Sequence, residues 1–493
     1  MTSQQLFSHL YEACNILRGP VNQDEYKSYI IPILFFKRVS DVYDEETQTL
    51  LASTNDKDFA ALPENHRFVI PSGCHWDDLR NVTTDIGKSI TTAMTGIERA
   101  NPQTLRGIFS SFDDSKWTDK TKLSDERLKD LIEHMSKLNV GNNNYSSDVM
   151  GDSYEYLIKK FADLSKRNAG EFYTPREIVK LLIMLLSPEK GETVYDPACG
   201  TGGMLIEAIH HISNVTSAYG KIYGQENNLA TSSIARMNLF LHGADDFHIA
   251  QGDTLRNPQF FDSGCLKTFD CVVANPPFAL RNWGADIFSS DIYGRNMWGC
   301  PSESNGDFAW LQHMAASMSP LKGRCAVILP QGVLFRGGRD GEIRRNLVKS
   351  GKLECIISLA GGVFYSTGVS ACVIFLQNAK AESHQGRVCM IDASGIFTPQ
   401  RAQNVMTKDD VKKVFALYEN YLDVPELCRI VPFSEIREKN YSLAVNNYIV
   451  KEEAAALTPA EIRKNYLNAF NAVIFAENIM KNLLINGGYL HEH

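Results

Sequence analysis

The chain has 493 residues, of which 44% are hydrophobic and 22% are charged, so its composition is that of a globular protein and its length suggests about three domains. This composition excludes a disordered chain, a collagen-like chain and a small disulfide scaffold. Lysine and arginine number 50 against 58 aspartates and glutamates, a net charge of −8, so nucleic-acid binding would require a local basic patch or a basic partner.

The first 140 residues carry apolar side chains at helical spacing. Helices are predicted near the N-terminus, from Tyr26 onward with Asp24 as N-cap, and over residues 124–138. The inward faces of the first and third helices would be formed by Leu6, Leu10, Cys14 and Leu17, and by Leu128, Leu131, Ile132 and Met135. The stretch 141–148, rich in Gly, Asn and Ser, is typical of a loop. We therefore predict an N-terminal helical domain over residues 1–145.

Between residues 150 and 395, short apolar runs alternate with helical segments. Eight runs have the length and composition of buried strands: 193–195, 222–224, 247–250, 269–274, 325–329, 353–359, 371–376 and 388–391. Strands that alternate with helices predict a doubly wound, mostly parallel sheet in an α/β domain, which we place over residues 146–450. Because ligands of such domains bind beyond the carboxyl ends of the strands, the residues after each run are the candidate site residues.

The C-terminal residues 451–493 are predicted to form a helical tail. The stretch Thr458-Pro459-Ala460-Glu461 is a capping box with proline at the first helical position, and Gly487-Gly488 ends a helix of roughly 28 residues. One apolar stripe runs along it: Ile462, Tyr466, Ala469, Val473, Ala476, Met480 and Leu483. Such a helix buries its stripe either in its own core or against a partner helix.

Several classes of protein lack support in the sequence. No apolar run approaches the ~20 residues that cross a bilayer, and the N-terminus lacks the regions of a signal peptide, so a cytoplasmic protein without membrane contact is predicted. The 11 cysteines are scattered without a C-x-x-C motif and are expected to be reduced thiols. The 12 histidines form no metal-binding pattern, so no metal is predicted.

A glycine-rich turn follows the first predicted strand, in the stretch Asp196-Pro-Ala-Cys-Gly-Thr-Gly-Gly203. Glycines let a ligand approach the backbone closely, and the start of the next helix offers free N–H groups. The spacing matches neither a dinucleotide fingerprint nor a P-loop, which favours a ligand without a pyrophosphate. Glu226 follows the second strand, where it can accept hydrogen bonds from ribose hydroxyls, and Asp253 follows the third, where it can meet an adenine amino group.

The fourth predicted strand ends in Ala274-Asn275-Pro276-Pro277-Phe278. Two prolines at a strand end stop the hydrogen-bond ladder and fix the backbone. The side-chain oxygen of Asn275 and a proline carbonyl can then accept both hydrogens of an exocyclic amine and direct its nitrogen lone pair toward an incoming methyl group. Phe278 offers a flat face for stacking. This pattern indicates methyl transfer to the amine of a planar base.

Together these stretches resemble the motifs of amino-methylating DNA methyltransferases, with residues 196–203 similar to motif I and residues 275–278 to motif IV. The upstream stretch Glu171-Phe-Tyr-Thr-Pro-Arg176 resembles motif X, and the order X, I, IV is that of the gamma class of adenine-N6 enzymes. Four further stretches are similar to the methylase subunit of type I restriction–modification systems: Ala13-Cys-Asn-Ile-Leu-Arg-Gly19, Tyr26-Lys27, Phe35-Phe36-Lys37-Arg38 and Gly332-Val-Leu-Phe-Arg-Gly-Gly338. The resemblance covers about residues 10 to 450.

This resemblance implies a sheet of the seven-stranded methyltransferase type and S-adenosylmethionine as methyl donor. The donor would be bound by Glu171, Phe172, Tyr173, Thr174, Pro175, Arg176, Asp196, Ala198, Cys199, Gly200, Thr201, Gly202, Gly203, Glu226, Asn227, Asp253 and Thr254. An adenine rotated out of double-stranded DNA would be held by Asn275, Pro276, Pro277 and Phe278. The implied partner is a specificity subunit, which binds two methylase subunits through their C-terminal regions, and a motor-nuclease subunit joins them for restriction.

Three alternatives stay open at this point: methylation of cytosine N4, methylation of a protein glutamine, and a non-catalytic assembly scaffold. The stretch upstream of motif I and the large N-terminal helical region argue against a protein substrate. The motif order and Phe278 favour adenine over cytosine, and an intact Asn275 argues against a scaffold.

A local excess of positive charge lies in residues 333–352, with six basic side chains against two acidic ones. This stretch is either a solvated helix face or a contact with DNA phosphates. The short segment 279–329 leaves little room for a domain that reads a target sequence, so we expect a partner to choose the DNA site.

Overall fold

The computed structural model of the protein describes residues 3–102, 104–105, 107–109, 114–145, 147–164, 174–212, 221–244, 246–364, 369–400, 404–450 and 459–487. The chain divides into two units, Met1–Ile449 and Val450–His493. The loop predicted near residue 145 lies inside the first unit, and the division into three domains stays a prediction.

The N-terminal region is helical, as predicted. Its described helices are α1 (Ser3–Leu17), α2 (Lys27–Thr54), α3 (Lys57–Ala60), α4 (Trp76–Arg80), α5 (Ile86–Ala100), α6 (Asp114–Thr118), α7 (Asp125–Ser136) and α8 (Ser147–Leu164), with 3₁₀ turns at Gln23–Glu25 and Pro63–Asn65. All the inward-facing residues predicted for α1 and α7 are buried. The N-cap prediction at Asp24 was wrong: Gln23–Glu25 forms its own 3₁₀ turn, so Tyr26 occupies the N-cap of α2.

Helices and strands alternate in the rest of the first unit. Its helices are α9 (Arg176–Leu186), α10 (Gly203–Ile212), α11 (Leu229–Leu241), α12 (Ala285–Ser289), α13 (Asp307–Ala316), α14 (Arg339–Lys349), α15 (Lys408–Asn420) and α16 (Phe433–Glu438), with 3₁₀ turns at Gln331–Leu334, Glu382–His384 and Val445–Asn447. Its strands are β1 (Val194–Asp196), β2 (Ile222–Glu226), β3 (Phe247–Gln251), β4 (Phe261–Asp262), β5 (Cys265–Leu266), β6 (Cys271–Ala274), β7 (Arg324–Pro330), β8 (Leu353–Leu359), β9 (Ala371–Gln377), β10 (Arg387–Ala393), β11 (Thr398–Pro399), β12 (Asn404–Val405) and β13 (Cys428–Pro432).

The main sheet has the strand order β13-β10-β8-β9-β7-β6-β1-β2-β3. All eight predicted strands lie in it, and most neighbours are parallel, which confirms the predicted α/β class. Strand β9 runs antiparallel to β7 and β8, and the edge strand β13 runs antiparallel to β10. The sequence did not predict β13, because this strand is only partly buried and has no continuous apolar run.

The order of the strands reverses direction at β1. From β1 the chain adds β2 and β3 on one side and β6 and β7 on the other, which leaves a crevice beyond the carboxyl ends of β1 and β6. The loops that follow β1, β2, β3 and β6 therefore meet at one edge of the sheet. These four loops carry the glycine-rich turn, Glu226, Asp253 and Asn275.

Helix α11 packs against two hydrophobic cores. Its residues Ile234, Met237 and Phe240 belong to the core of the N-terminal helices, whereas Ala235 and Leu239 belong to a core beside the main sheet. Buried apolar area is the main stabilising contribution to folding, so the N-terminal helices and the sheet are held together through α11.

The second unit contains the helix α17 (Pro459–Asn486), which has the predicted length of 28 residues. The capping residues predicted at Thr458 and Gly488 lie outside the described residues. Large apolar side chains of the predicted stripe are exposed, among them Ile462 at 55% and Leu483 at 66%. Among the described helices, none combines the length and apolar character that crossing a membrane would require.

Candidate active site

The turn between β1 and α10 has the backbone geometry that its glycines permit. Gly200 and Gly202 have φ values of +54° and +85°, a region that side-chain-bearing residues rarely adopt. Asp196 is 2% exposed, and its carboxylate accepts a hydrogen bond of 3.0 Å from the backbone N–H of Ala198. Burial, together with a smaller effect of the negative charge of Glu226, raises the pKa of Asp196 to about 8 against the opposing effect of that hydrogen bond.

Glu226, at the end of β2, joins two of the loops. One of its carboxylate oxygens accepts a 3.0 Å hydrogen bond from the N–H of Gly200, and the other accepts a 2.8 Å hydrogen bond from the N–H of Asn228. A carboxylate has about four acceptor positions, so it can accept hydrogen bonds from several donors at once. Glu226 therefore lies directly beside the glycine turn.

Asp253 follows β3 and forms a tight turn with the residues after it. Its Oδ1 atom accepts hydrogen bonds from the N–H groups of Leu255 and Arg256 at 3.0 and 3.2 Å, and its Oδ2 atom lies 3.6 Å from Nε of Arg256. Next to it, Thr254 donates a 2.6 Å hydrogen bond to the carbonyl of Pro197. The β3 loop is therefore tied to the loop that follows β1.

Asn275, at the end of β6, has one satisfied and one unsatisfied polar atom. Its Nδ2 donates a 2.8 Å hydrogen bond to Oγ1 of Thr174, whereas its Oδ1 is buried without a hydrogen-bond partner among the described residues. A buried acceptor without a partner costs roughly 1–3 kcal/mol, so such atoms tend to occur where a ligand completes them. The ring of Phe278 packs edge-on against Phe364, with 6.3 Å between ring centroids.

These loops surround a cleft of about 660 Å³. Nine of the predicted site residues line it: Ala198, Gly200, Thr201, Glu226, Asn227, Asp253, Thr254, Asn275 and Pro277. A single cleft thus contains residues from both predicted sets, those for the methyl donor and those for the methylated base.

The other described residues of the predicted site lie around the cleft without lining it: Thr174, Pro175, Arg176, Asp196, Cys199, Gly202, Gly203, Pro276 and Phe278. Arg176 faces away toward α8, where it pairs with Asp152 and Glu155 at 3.6 and 3.9 Å. A side chain at Gly202 would contact Ala235 of α11 at 3.6 Å. Glu171, Phe172 and Tyr173 lie outside the described residues.

Sequence reasoning missed the side chains that the N-terminal helices contribute to the cleft. Lys27 and Ile31 of α2 line it, as do Ile158 and Phe161 of α8. The three apolar residues recur at helical spacing and are therefore indistinguishable from core residues in a sequence. Lys27 was marked only as part of the Tyr26-Lys27 stretch in the family resemblance. The remaining missed residues are Pro197, Asn228, Leu229, Thr231, Ile234, Gln251, Gly252, Leu280 and Trp310. Their only available signal was that several adjoin a predicted site residue.

Comparison with known proteins shows the family to which this chain belongs. A family model described as N-6 DNA Methylase matches residues 145–456, more than half of the chain. The chain belongs to the N-6 DNA methylase family. A second model, the HsdM N-terminal domain, matches residues 6–135 of this methylase.

Individual relatives of the methylase are similar over most of their length. The type I restriction enzyme MjaVII methylase subunit of Methanocaldococcus jannaschii is 30% identical, over 92% of this chain and 79% of the relative. The type I restriction enzyme HindI methylase subunit of Haemophilus influenzae is 31% identical, over 71% of this chain and 76% of the relative. Among solved structures, the type I methyltransferase subunit of Streptococcus thermophilus has a TM-score of 0.78 at 27% identity, covering 91% of this chain and 100% of that one.

The chain is accordingly an adenine-specific DNA methyltransferase, and it is of the same type as the methylase subunits of type I restriction enzymes. Its methyl donor is S-adenosylmethionine. The family match favours this activity over the three alternatives, which were methylation of cytosine N4, methylation of a protein glutamine, and a non-catalytic scaffold. The cleft fits the donor, since its volume is within the range of about 300–1,000 Å³ for small-molecule sites, and the carboxylates of Glu226 and Asp253 suit hydroxyl and amino groups. When bound, the donor supplies an electrophilic methyl group on a sulfonium.

The position of Gly200 in the cleft predicts how a substitution there affects donor binding. A side chain built at this position meets no atom of the described residues within 4 Å, and Gly200 lines the cleft, so valine here would occupy ligand space. We expect Gly200→Val to weaken S-adenosylmethionine binding by at least about tenfold, measured by titration calorimetry.

Gly386→Val is the matched control for backbone strain. Gly386 has a φ of +71° and open surroundings but does not line the cleft, so this variant is expected to bind the donor like the wild type. Equal donor affinity in folded Gly200→Val and wild-type protein would contradict this position of the pocket.

The basic stretch 333–352 offers less positive charge to DNA than its sequence suggests. Arg336 forms ion pairs with Asp307 and Asp340, and Arg344 is buried with its guanidinium hydrogen-bonded to backbone carbonyls. The guanidinium groups of these two arginines therefore form contacts within the protein. The exposed basic side chains of the stretch are Arg339, Arg345 and Lys349.

Proposed function

We propose that this methylase transfers its methyl group to N6 of an adenine rotated out of double-stranded DNA, with residues 275–278 as the target-base pocket. The observation that carries the proposal is the buried Oδ1 of Asn275, which has no hydrogen-bond partner in the described part of the chain and lies in the same cleft as Glu226 and Asp253. An adenine amine must leave the duplex to reach such an atom, since N6 is paired and stacked there.

The hydrogen bond from Asn275 to Thr174 supports this role. Because Nδ2 donates to Thr174, the amide has a fixed orientation, with Oδ1 left to accept a hydrogen of the adenine amine. The two prolines that follow restrict the backbone at the strand end, so the acceptor is positioned before the base arrives. Holding the amine in line with the methyl group supplies the acceleration, and no side chain acts as a covalent nucleophile.

The donor is proposed to bind along the loops after β1, β2 and β3. In this arrangement the loop 196–203 lies along the donor, Glu226 accepts from the ribose hydroxyls, and Asp253 meets the adenine amino group. The supporting contacts are the hydrogen bonds that tie Glu226 to Gly200 and the β3 loop to Pro197, because they hold three donor-facing loops in one arrangement. Preorganised polar groups of this kind orient a ligand without further rearrangement.

The family supports a proposal about the partners of this chain. Its named relatives are subunits of type I restriction enzymes, and we propose that two copies of this chain assemble in the cytoplasm with one specificity subunit, joined for restriction by a motor-nuclease subunit. In this assembly residues 1–145 and 146–450 form the helical and catalytic domains, and residues 451–493 contact the specificity subunit.

The test is a methylation assay on the complex of full-length chain and specificity subunit. Unmethylated genomic DNA is incubated with methyl-labelled S-adenosylmethionine, digested to nucleosides and separated. We expect the label in N6-methyladenine. Label in N4-methylcytosine, or in protein, would overturn the proposed base pocket.

A further inference from the structure

The turn that follows Phe278 is held by a buried carboxylate. Ala279 has a φ of +49°, which is unfavourable for a residue with a side chain. Its backbone N–H donates a 2.8 Å hydrogen bond to Oδ1 of Asp307, the first residue of α13. One residue further, the carbonyl of Leu280 accepts a 3.0 Å hydrogen bond from the N–H of Gly306. The start of α13 therefore fixes the path of the chain directly after the target-base motif.

The second oxygen of the same carboxylate holds a different loop. Oδ2 of Asp307 accepts a 2.7 Å hydrogen bond from Nη2 of Arg336, and Asp307 is completely buried. Arg336 lies in the 332–338 loop beyond β7, and its Nε also donates to Asp340 at 2.8 Å. One carboxylate thus joins two loops at the carboxyl edge of the sheet.

We propose that Asp307 is a positioning residue for methyl transfer, which sets the target-base side of the cleft without touching the base. By holding Ala279 it fixes the orientation of the adjacent Phe278 and the course of Leu280, which lines the cleft. By holding Arg336 it fixes the loop beyond β7 relative to that turn. This proposal rests on the proposed role of residues 275–278.

The alternative is that Asp307 only stabilises the fold, and the chain offers a matched comparison. Glu192 and Arg324 form another carboxylate–guanidinium pair with a buried carboxylate, with 2.6 Å between Oε2 and Nη2. Arg324 begins β7 and Glu192 precedes β1, so this pair lies at the amino ends of the strands, opposite the cleft. Breaking either pair removes a buried ionic contact, but only the Asp307 pair adjoins the target-base motif.

The decisive variant is Asp307→Asn, because an amide of the same shape cannot accept from both donors. If its oxygen faces Ala279, its NH₂ group faces the donors of Arg336, and the reverse orientation loses Ala279. We expect kcat for methylation by the full complex to fall about 10–100-fold, as for a small misplacement of reacting groups. The KM for S-adenosylmethionine should change less than about threefold, since the donor side is untouched.

Two further variants keep the test decisive. Glu192→Gln is expected to lower the unfolding temperature by about as much as Asp307→Asn does. Its kcat per folded molecule should stay within about twofold of the wild-type value. Arg336→Lys, which loses the planar fork that reaches both carboxylates, is expected to lower kcat as Asp307→Asn does, and it carries the test if the latter does not fold. Wild-type kcat in both Asp307→Asn and Arg336→Lys, or an equal loss in Glu192→Gln, would overturn the proposal. Absence of N6-methyladenine with the wild-type complex would instead overturn the proposed function.

Discussion

Replacing Asn275 with alanine is expected to lower the rate of methyl transfer by about 10²–10³-fold, the usual effect of losing one aligned polar contact in a transition state. The reason is that Oδ1 of Asn275 is buried and accepts no hydrogen bond from any described residue, so it can accept one from the adenine amine. Donor affinity should remain within about threefold of wild type, because most of the groups proposed for the donor lie on the loops after β1, β2 and β3. Calorimetry with S-adenosylmethionine and the nucleoside assay measure the two quantities separately.

Thr174→Val provides a graded comparison for this experiment. It removes the acceptor of the Asn275 Nδ2 hydrogen bond but keeps the Oδ1 atom, so the amide is less well oriented rather than absent. We expect a loss of about tenfold in rate, smaller than that of Asn275→Ala. If Asn275→Ala abolishes donor binding together with methyl transfer, Asn275 has a structural role and the proposed base pocket is wrong.

The local parts of this site could be predicted from the sequence. The glycine turn, Glu226 and Asp253 each directly follow a strand, and the topology of a parallel sheet brings strand ends to one edge without further information. The Asn-Pro-Pro-Phe motif is equally local, because proline fixes the backbone wherever it occurs. For these reasons short segments of sequence were sufficient to identify nine of the residues that line the cleft.

The non-local parts could not be predicted in this way. Asn275 is oriented by Thr174, 101 residues earlier, and Ala279 is held by Asp307. The wall formed by Ile31 and Phe161 depends on how α11 packs against the N-terminal helices, which residue spacing does not encode. Arg336 is a residue whose role the sequence suggests wrongly. Its charge is consistent with DNA binding, but in the fold it forms ion pairs with two carboxylates.

The C-terminal helix α17 has the side-chain pattern of a helix that pairs with another helix. Its stripe from Ile462 to Leu483 advances by alternating steps of four and three residues, which is the spacing of a left-handed coiled coil. Large apolar side chains outside this stripe, such as Phe470 and Phe475, are exposed at 50% and 68%. Exposed apolar surface of this extent marks an interaction site.

We expect removal of residues 455–493 to leave donor binding unchanged and to prevent assembly with the specificity subunit. None of the described cleft residues lies in this segment, so calorimetry of the truncated chain should give the wild-type affinity for S-adenosylmethionine. Without the specificity subunit, site-specific methylation should be lost. Co-purification with the specificity subunit and mapping of methylated adenines on plasmid DNA measure the two effects.

A pair of point variants tests the same surface without shortening the chain. Val473→Asp introduces a charge into the stripe, whereas Asn471→Asp introduces the same charge about 200° away, on the side of the helix opposite the stripe. An aspartate buried in a helix–helix contact without a partner costs several kcal/mol, so Val473→Asp should abolish assembly and Asn471→Asp should not. Efficient methylation of one defined site by the purified chain alone would show that this helix is not needed to choose the DNA sequence. Equal behaviour of the two variants would show that the stripe is not the contact surface.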